Sequence, residues 1–148
     1  MAVAEPVMIM GGLSVDDRGQ LAYVNDFELT KYKRFYLVSN HRSEFVRAWH
    51  GHKLEAKGVT VVQGAAIVAA VQVDDWVSPA VDLPMHRHIM SAKKPAILEI
   101  PAGYANGFMT LAPDTILCFF STSTLDESAG DDYRFPAATW NPWNIEER

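Results

Sequence analysis

Residues 46–66, VRAWHGHKLEAKGVTVVQGAA, place two histidines among charged side chains in a stretch that otherwise has the pattern of β-strand. Side chains alternate between the two faces of a strand, so His50 and His52 point the same way, whereas Lys57 has the opposite parity unless a bulge occurs near Gly58. If the shared face lines a small barrel, two imidazoles project into an apolar hollow, where burial and neighbouring charges tune a histidine pKa. The pattern favours acid–base chemistry over the alternative that both histidines only hydrogen-bond within the barrel wall.

A metal site is the second interpretation of this stretch. The two histidines and Glu55 resemble the first metal-binding motif of the cupins, but that motif has a longer gap before its glutamate. The second cupin motif needs a histidine where this sequence has Asn106, and asparagine is a poor ligand for a borderline or soft divalent ion. His86 and His88 form another H-x-H, with no further ligand nearby in sequence, and are expected on a surface strand. We therefore expect no metal.

The elements that must position these residues are strands. Short apolar or alternating runs separated by turn residues predict an antiparallel sandwich or barrel with little helix. Gly64, inside the long run GVTVVQGAAIVAAVQV, predicts a hairpin turn or a bulge. The segment GGLSVDDRGQ is predicted as a turn, and the last stretch, DYRFPAATWNPWNIEER, as an ordered tail packed on the body. Other predicted strands are KRFYLVSN, VRAWHGHK, AILEI, FMTL and TILCFFSTST.

The composition of the chain indicates which binding partners and which cellular compartment to expect. The 148 residues predict one domain, 1–148, and a net charge of −5 argues against nucleic acid or an anionic membrane as partner. The lone cysteine, Cys118, lies in an apolar run and forms no disulfide within the chain, as is typical of a reducing cytoplasm. The start, MAVAEPVMIMGG, lacks a cationic lead, so we expect no signal peptide, and no run is long enough to span a bilayer.

Several motifs, in their order and spacing, resemble the dTDP-4-dehydrorhamnose 3,5-epimerases and the related dTDP-sugar 3,4-ketoisomerases of the cupin-like group. DDRGQL is similar to the epimerase D-x-R-G-x-F, SNHRSEFVRAWH to N-H-S-x-S…V-L-R-G-L-H, and MSAKKPAILEIPAGYANGF to L-S-A-x-N…L-x-I-P-x-G-x-A-H-G-F. Lys57 stands seven residues before Gly64, as the family lysine does, and TWNPWNI is similar to the closing W-N-D-P-x-I. RAWHGHK, KRFY and the short chain instead resemble the ketoisomerases.

This resemblance implies an all-β fold, a cupin-type jelly-roll barrel, assembled as a homodimer that binds a nucleotide-diphosphate sugar and needs no cofactor. The implied enzyme epimerises carbon 3 and/or carbon 5 of a nucleotide-linked 4-keto-6-deoxy sugar through an enolate. His50 matches the family base, Lys57 the cation that stabilises the enolate oxygen, and Arg47 the arginine that holds the diphosphate. Further candidates for substrate binding within the motifs are Arg18, Lys53, Tyr104 and Asn106.

Two positions depart from the epimerase pattern. The family's catalytic tyrosine falls on Phe119, which cannot supply a proton, so Tyr36 or Tyr104 is the substitute acid. The aspartate that orients the catalytic histidine is replaced in the closing motif, where Asn141 stands. The candidates for that orienting role are Asp16, Asp131 and Asp132.

Three alternatives remain open on the sequence. In a ketoisomerase, His50 and His52 divide the proton transfer between carbons 3 and 4, with Tyr36 nearby, and no residue is needed at position 119. A non-catalytic cupin that binds a sugar nucleotide is the alternative from another class. A metal-dependent cupin comes last, because Asn106 replaces the expected ligand.

Overall fold

The computed structural model describes residues 4–148, and nearly every regular element in it is a strand. The first three residues, which begin both the predicted domain and the segment assessed as a signal peptide, lie outside the described residues. The all-β prediction is confirmed, and the helix found in residues 4–148 is too short and too polar to cross a bilayer. The elements are β1 (Val7–Met10), β2 (Gly12–Asp16), β3 (Gly19–Tyr23), β4 (Arg34–Ser39), β5 (Val46–His52), β6 (Lys57–Gln63), β7 (Ala65–Gln72), β8 (Met85–Ser91), β9 (Ala96–Ile100), β10 (Tyr104–Thr110), β11 (Ile116–Ser121), α1 (Leu125–Ala129) and β12 (Tyr133–Arg134).

Two five-stranded antiparallel sheets form the body. Their strand orders are β1-β9-β6-β11-β4 and β12-β5-β10-β7-β8, and β2 and β3 form a separate two-stranded hairpin. The sheets face each other, because one buried cluster joins Val59, Leu98 and Leu117 of the first sheet to Val68 and Phe108 of the second. Consecutive strands β5 and β6 belong to opposite sheets, so the two halves of the histidine-rich stretch face each other across the barrel.

The predicted C-terminal tail covers the outer face of the second sheet. Trp140 and Trp143 pack against Trp49, with ring centroids 5.3 Å apart in each pair, and the indole N–H of Trp49 donates to the carbonyl of Trp140. Strand β10 is therefore buried on both faces along its whole length, unlike a sandwich strand with one solvated face. The tail thereby fixes β5 and β10, the strands that carry His50 and Asn106.

Two local predictions need correction. Gly64 is neither a hairpin turn nor a bulge: it lies between β6 of one sheet and β7 of the other. Its φ is +79°, and a Cβ there would lie 2.2 Å from Oγ1 of Thr115, so the corner requires glycine. The segment predicted as a turn before β3 contains strand β2, which pairs with β3 from Gly12↔Tyr23 to Asp16↔Gly19. Alternation over only five residues next to three glycines and two aspartates hid this strand from a pattern-based prediction.

Candidate active site

Strands from both sheets bring the predicted catalytic side chains to one end of the barrel. A hollow of about 340 Å³ is lined by Tyr36 of β4, His50 and His52 of β5, and Lys57 of β6, together with Arg34, Asp132 and Arg134. A second hollow of about 90 Å³ shares Tyr36, His50 and Lys57 and extends toward Arg47, Asn106 and Phe119. The two adjoin through these shared residues and form one site. A larger groove of about 660 Å³ lies under the C-terminal tail, outside the barrel, and contains none of the predicted catalytic residues.

Lys57 is not on the histidine strand, so the parity expected from the sequence does not apply. Residues 53–56 form a turn, and Lys57 opens β6 in the facing sheet. The ladder between β6 and β11 pairs Lys57 with Ser121, and the side chain points inward with only 8% of its surface exposed. The turn thus places the ammonium group across the hollow from His50, which lines the same two cavities.

His50 has the environment of a free base. Within residues 4–148 its ring makes no hydrogen bond, and it lines both hollows. Burial, reinforced by the positive charges of Arg134 and Lys57, lowers the pKa of His50 to about 4, although the charge of Asp132 acts in the opposite direction. The imidazole is therefore neutral at pH 7 and available to accept a proton.

This electrostatic assignment predicts the effect of removing Arg134. An NMR titration of the protein should give His50 a midpoint near pH 4, and the substitution Arg134→Ala should raise it toward the ordinary histidine value of about 6.5. Two changes act in the same direction, because the cation is lost and Asp132, bonded to Arg134 at 2.8 Å, becomes an unpaired anion beside the ring. Arg42→Ala, in the loop after β4, should leave the midpoint unchanged. An unshifted midpoint in the Arg134 variant would contradict the assignment.

His52 differs from His50 because both of its ring nitrogens face the protein. Nδ1 lies 2.7 Å from the backbone carbonyl of Asp131, so Nδ1 carries a proton and donates it there. Nε2 is buried and lies 3.4 Å from Oε1 of Glu55. The ring forms part of the wall of the hollow, but it offers no free nitrogen to a ligand.

Tyr36 and Lys57 form a pair at the centre of the site. Nζ of Lys57 donates to the hydroxyl oxygen of Tyr36 at 2.7 Å, so the tyrosine O–H remains free for another acceptor. The Tyr36 ring stacks on Phe119 with ring centroids 5.3 Å apart and an angle of 7° between the planes. The phenol of Tyr36 on β4 thus lies next to Phe119 of β11, the position that matches the family tyrosine.

Arg47 and Asn106 also lie at the site. Both line the smaller hollow, and the side-chain amide of Asn106 donates to the backbone carbonyl of His50 at 3.3 Å. Asn106 thereby ties β10 to the histidine strand. Residues 4–148 contain no group of three or more His, Cys, Asp or Glu side chains arranged to hold a metal ion.

Three predicted substrate-binding residues are not at this site. Lys53 lies outside the barrel with Nζ 4.8 Å from the ring centroid of Tyr133. The hydroxyl of Tyr104 donates to the carbonyl of Ala4 at 3.0 Å, so Tyr104 is a barrel-wall residue. Arg18 stands exposed in the turn between β2 and β3, paired with Asp16.

The H-x-H of β8 also differs from its prediction. His86 and His88 are not surface residues, because both are half-buried. The ring of His86 meets the ring of Tyr104 edge-on, with centroids 5.9 Å apart, and Nε2 of His88 is buried. Their strand pairs with β7 opposite Ala70 and Val68, two members of the barrel core, which turns both histidines inward.

The candidate carboxylates fall into different roles. Asp131 accepts from the backbone N–H groups of Lys53, Leu54 and Glu55 at 2.8–2.9 Å, so it holds the turn between β5 and β6. Asp132 lines the hollow, and it is the carboxylate whose charge acts on His50. Asp16 is in the remote hairpin, and Asn141 lines the groove outside the barrel. Among the three candidates, the geometry therefore favours Asp132 as the carboxylate that acts on His50, and it acts through its charge.

The turn held by Asp131 predicts a loss of stability on substitution. Asp131→Ala leaves three backbone donors of a partly buried turn without their acceptor, and we expect the free energy of unfolding to fall by about 1–3 kcal/mol. Urea denaturation measures this change. Asp82→Ala, at an exposed loop position, is the control and should change stability by less than about 0.5 kcal/mol. Equal stability of the two variants would show that the turn does not depend on Asp131.

Sequence reasoning missed two residues at this site. Arg34 lines the larger hollow and donates to the carbonyl of Ser123 at 3.1 Å. On the sequence Glu55 is a candidate only for a metal site, yet it lies 3.4–3.6 Å from nitrogens of Arg34, His52 and Lys57. Arg34 stands in the KRFY motif, two residues before Tyr36, so strand alternation could have placed both on one face. The sequence carries no comparable signal for the three contacts of Glu55.

Fold and site together define a class of protein: a β-barrel isomerase whose open end sets a neutral histidine opposite an ammonium group, as removal of a proton beside a carbonyl requires. The family model described as dTDP-4-dehydrorhamnose 3,5-epimerase matches residues 5–138. The chain belongs to this family of dTDP-sugar epimerases. The family prediction and the prediction of an epimerase-type enzyme are therefore confirmed. No curated protein matches the chain.

Solved structures share the fold at low sequence identity. The dTDP-4-dehydrorhamnose 3,5-epimerase of Bacillus anthracis, solved with TDP and PPi bound, is 20% identical with a TM-score of 0.74, covering 96% of this chain and 86% of that one. The Sulfolobus tokodaii enzyme of the same name is 22% identical with a TM-score of 0.74, over 95% and 82%. The QdtA 3,4-ketoisomerase of Thermoanaerobacterium thermosaccharolyticum is 14% identical with a TM-score of 0.68, over 90% of each chain. These matches confirm the jelly-roll prediction.

Proposed function

We propose that the protein epimerises a dTDP-linked 4-keto-6-deoxy sugar at carbon 3, carbon 5 or both, with His50 as base, Lys57 as enolate stabiliser and Tyr36 as acid. One observation carries this assignment: the open, neutral imidazole of His50 and the Lys57–Tyr36 pair line the same hollow from opposite sheets. A base and an acid on opposite walls are what inversion at a carbon requires, since the proton leaves one face and returns to the other.

The proposed steps follow from these positions. His50 takes the proton from the carbon beside the ketone, and the electron pair of the broken C–H bond moves into an enolate whose oxygen is stabilised by the ammonium of Lys57. The O–H of Tyr36, left free because its oxygen accepts from Lys57, gives a proton to the opposite face of the carbon. Lys57 then stabilises the phenolate until solvent restores its proton, and His50 returns its own proton to solvent.

The charge of the hollow suits a nucleoside diphosphate. Arg34, Arg47, Lys57 and Arg134 line it, opposed by the carboxylates of Asp132 and Glu55. The resulting excess of two positive charges complements the two negative charges of a diphosphate ester. We assign diphosphate binding to Arg47, whose planar fork matches phosphate oxygens.

The ketoisomerase is the second candidate, favoured by the H-G-H-K motif and chain length. It requires His50 and His52 to share the proton transfer, and both nitrogens of His52 face Asp131 and Glu55 instead of the hollow. We therefore place it second. A non-catalytic sugar-nucleotide-binding barrel is third.

Incubation with dTDP-4-keto-6-deoxyglucose in heavy water separates the candidates. Deuterium at carbon 3 or 5 with inverted configuration supports the epimerase, and a 3-keto product supports the ketoisomerase. Ligand binding, seen as a raised melting temperature, without any deuterium in the sugar identifies the non-catalytic barrel.

We further propose a homodimer with no nucleic-acid partner, and a cytoplasmic location consistent with the single buried cysteine, Cys118. The β2–β3 hairpin supports the dimer, because it pairs with no other strand of residues 4–148 and exposes Val15 and Leu21. A two-stranded hairpin alone is marginally stable in water, and a second copy would cover it. Sedimentation equilibrium tests the dimer, and a monomer would overturn it.

A further inference from the structure

Glu55 is the most deeply buried charged group at the site, with 2% of its surface exposed. Oε2 accepts from the hydroxyl of Ser121 at 2.6 Å and lies 3.5 Å from the guanidinium of Arg34. Oε1 lies 3.4 Å from Nε2 of His52 and 3.6 Å from Nζ of Lys57. Glu55 does not line the hollow, so it acts on a bound sugar only through these neighbours.

The charge of Glu55 is maintained by its surroundings. Burial alone would raise its pKa, but the hydrogen bond from Ser121 and the charges of Lys57 and His52 hold the pKa below the ordinary glutamate range. The residue is therefore a carboxylate at neutral pH. Two cations, Arg34 and Lys57, approach it from the first sheet, and His52 approaches it from the second.

A lysine ammonium buried beside an arginine needs a counter-charge. The position of that counter-charge determines where the ammonium group is held. Among residues 4–148, the hydroxyl of Tyr36 accepts from Lys57 and the carboxylate of Glu55 forms an ion pair with it. The ammonium group only donates, so its bond to Tyr36 directs the tyrosine O–H away from Lys57. Loss of the carboxylate removes the attraction that holds Nζ between these two partners.

We propose that Glu55 is the positioning residue of this site: its buried carboxylate holds the ammonium of Lys57 against the Tyr36 oxygen, so that Lys57 faces the enolate and the tyrosine O–H faces the sugar. This inference rests on the proposed epimerase function for its kinetic consequence. The placement of Lys57 itself is independent of the reaction.

The experiment compares Glu55→Gln with Glu99→Gln. Glu99 is a matched control, because it also contacts a tyrosine, Tyr32, and a lysine, Lys31 at 2.9 Å, but lies outside the two hollows that form the site. Glu55→Gln should lower kcat by about 10–100-fold, the range seen when outer partners of reacting groups are removed, with little change in KM. Glu99→Gln should keep the wild-type kcat.

A second measurement needs no substrate. The Lys57 ammonium should give a slowly exchanging NMR signal in the wild-type protein, which Glu55→Gln removes and Glu99→Gln preserves. Unchanged kcat or an unchanged ammonium signal in the Glu55 variant overturns the proposal. If Glu55→Gln does not fold, Ser121→Ala replaces it in the test, because it keeps the charge of Glu55 but removes the 2.6 Å hydrogen bond. Ser121→Ala should lower kcat and speed the exchange of the Lys57 ammonium protons. Wild-type behaviour of Ser121→Ala overturns the proposal equally. If the wild-type protein does not turn over the substrate, the proposed epimerase function is wrong. The NMR signal of the Lys57 ammonium then tests the role of Glu55 by itself.

Discussion

His50→Ala is expected to lower kcat by about 10²–10⁴-fold, the usual contribution of a positioned base. His50 has an open ring beside the ammonium of Lys57, and burial keeps it neutral at physiological pH. No second base replaces it, because both nitrogens of His52 contact Asp131 or Glu55. Incorporation of deuterium from heavy water should fall together with product formation, since both require removal of the same proton.

The control for this prediction is His41→Ala, an exposed loop histidine whose loss should not change the rate. Binding of the nucleotide dTDP, followed by the shift in melting temperature, should survive in His50→Ala because the arginines of the hollow remain. Turnover of His50→Ala at the wild-type rate would refute the assignment of the base. A lost rate together with lost dTDP binding would point to a damaged fold instead.

Lys57→Met should lower kcat by about 10²–10³-fold, the effect of removing one group that stabilises a developing oxyanion. Lys57 is the ammonium group nearest the Tyr36 hydroxyl, and it lines both hollows beside His50. Without it, the enolate oxygen loses the ammonium group that stabilises it, so solvent exchange and inversion both become slow. Rates of deuterium exchange and of product formation measure the two effects, and a ketoisomerase should tolerate this change far better.

Lys57→Met also leaves the buried carboxylate of Glu55 with fewer counter-charges, which is expected to destabilise the protein. The double variant Lys57→Met/Glu55→Gln removes both charges and should recover stability. Its kcat should stay low, because the cation that faces the enolate is still absent. Recovery of the rate in the double variant would show that Lys57 acts through stability and not through the enolate.

The location of the site could be predicted from the sequence because it depends on local pattern. An H-x-H on an alternating strand puts both histidines on one face, and β5 (Val46–His52) has that face toward the hollow. The resemblance supplied Lys57 and the expected roles. The hairpin that carries Arg18 was missed because glycines and aspartates obscured strand β2.

The division of roles could not be predicted, because it depends on contacts between distant residues. The sequence pattern does not distinguish His50 from His52. The difference arises because the backbone carbonyl of Asp131, 79 positions away, accepts from Nδ1 of His52. Tyr36 stands beside Lys57 because β4 and β6 both pair with β11, whose Phe119 supports the tyrosine ring. In the proposed mechanism, the phenol of Tyr36 on β4 takes the role of the tyrosine that β11 lacks.

The sequence by itself determined an all-β chain with two histidines on one face of a strand, because strand alternation is a local property. Only the tertiary structure decided which histidine is open, which phenol meets the lysine, and that Glu55 lies beside Lys57. The physical reason is that hydrogen bonding, burial and charge neutralisation act over distances of 3–4 Å in space. In this protein those distances join residues up to 100 positions apart in the chain, as between Tyr104 and Ala4.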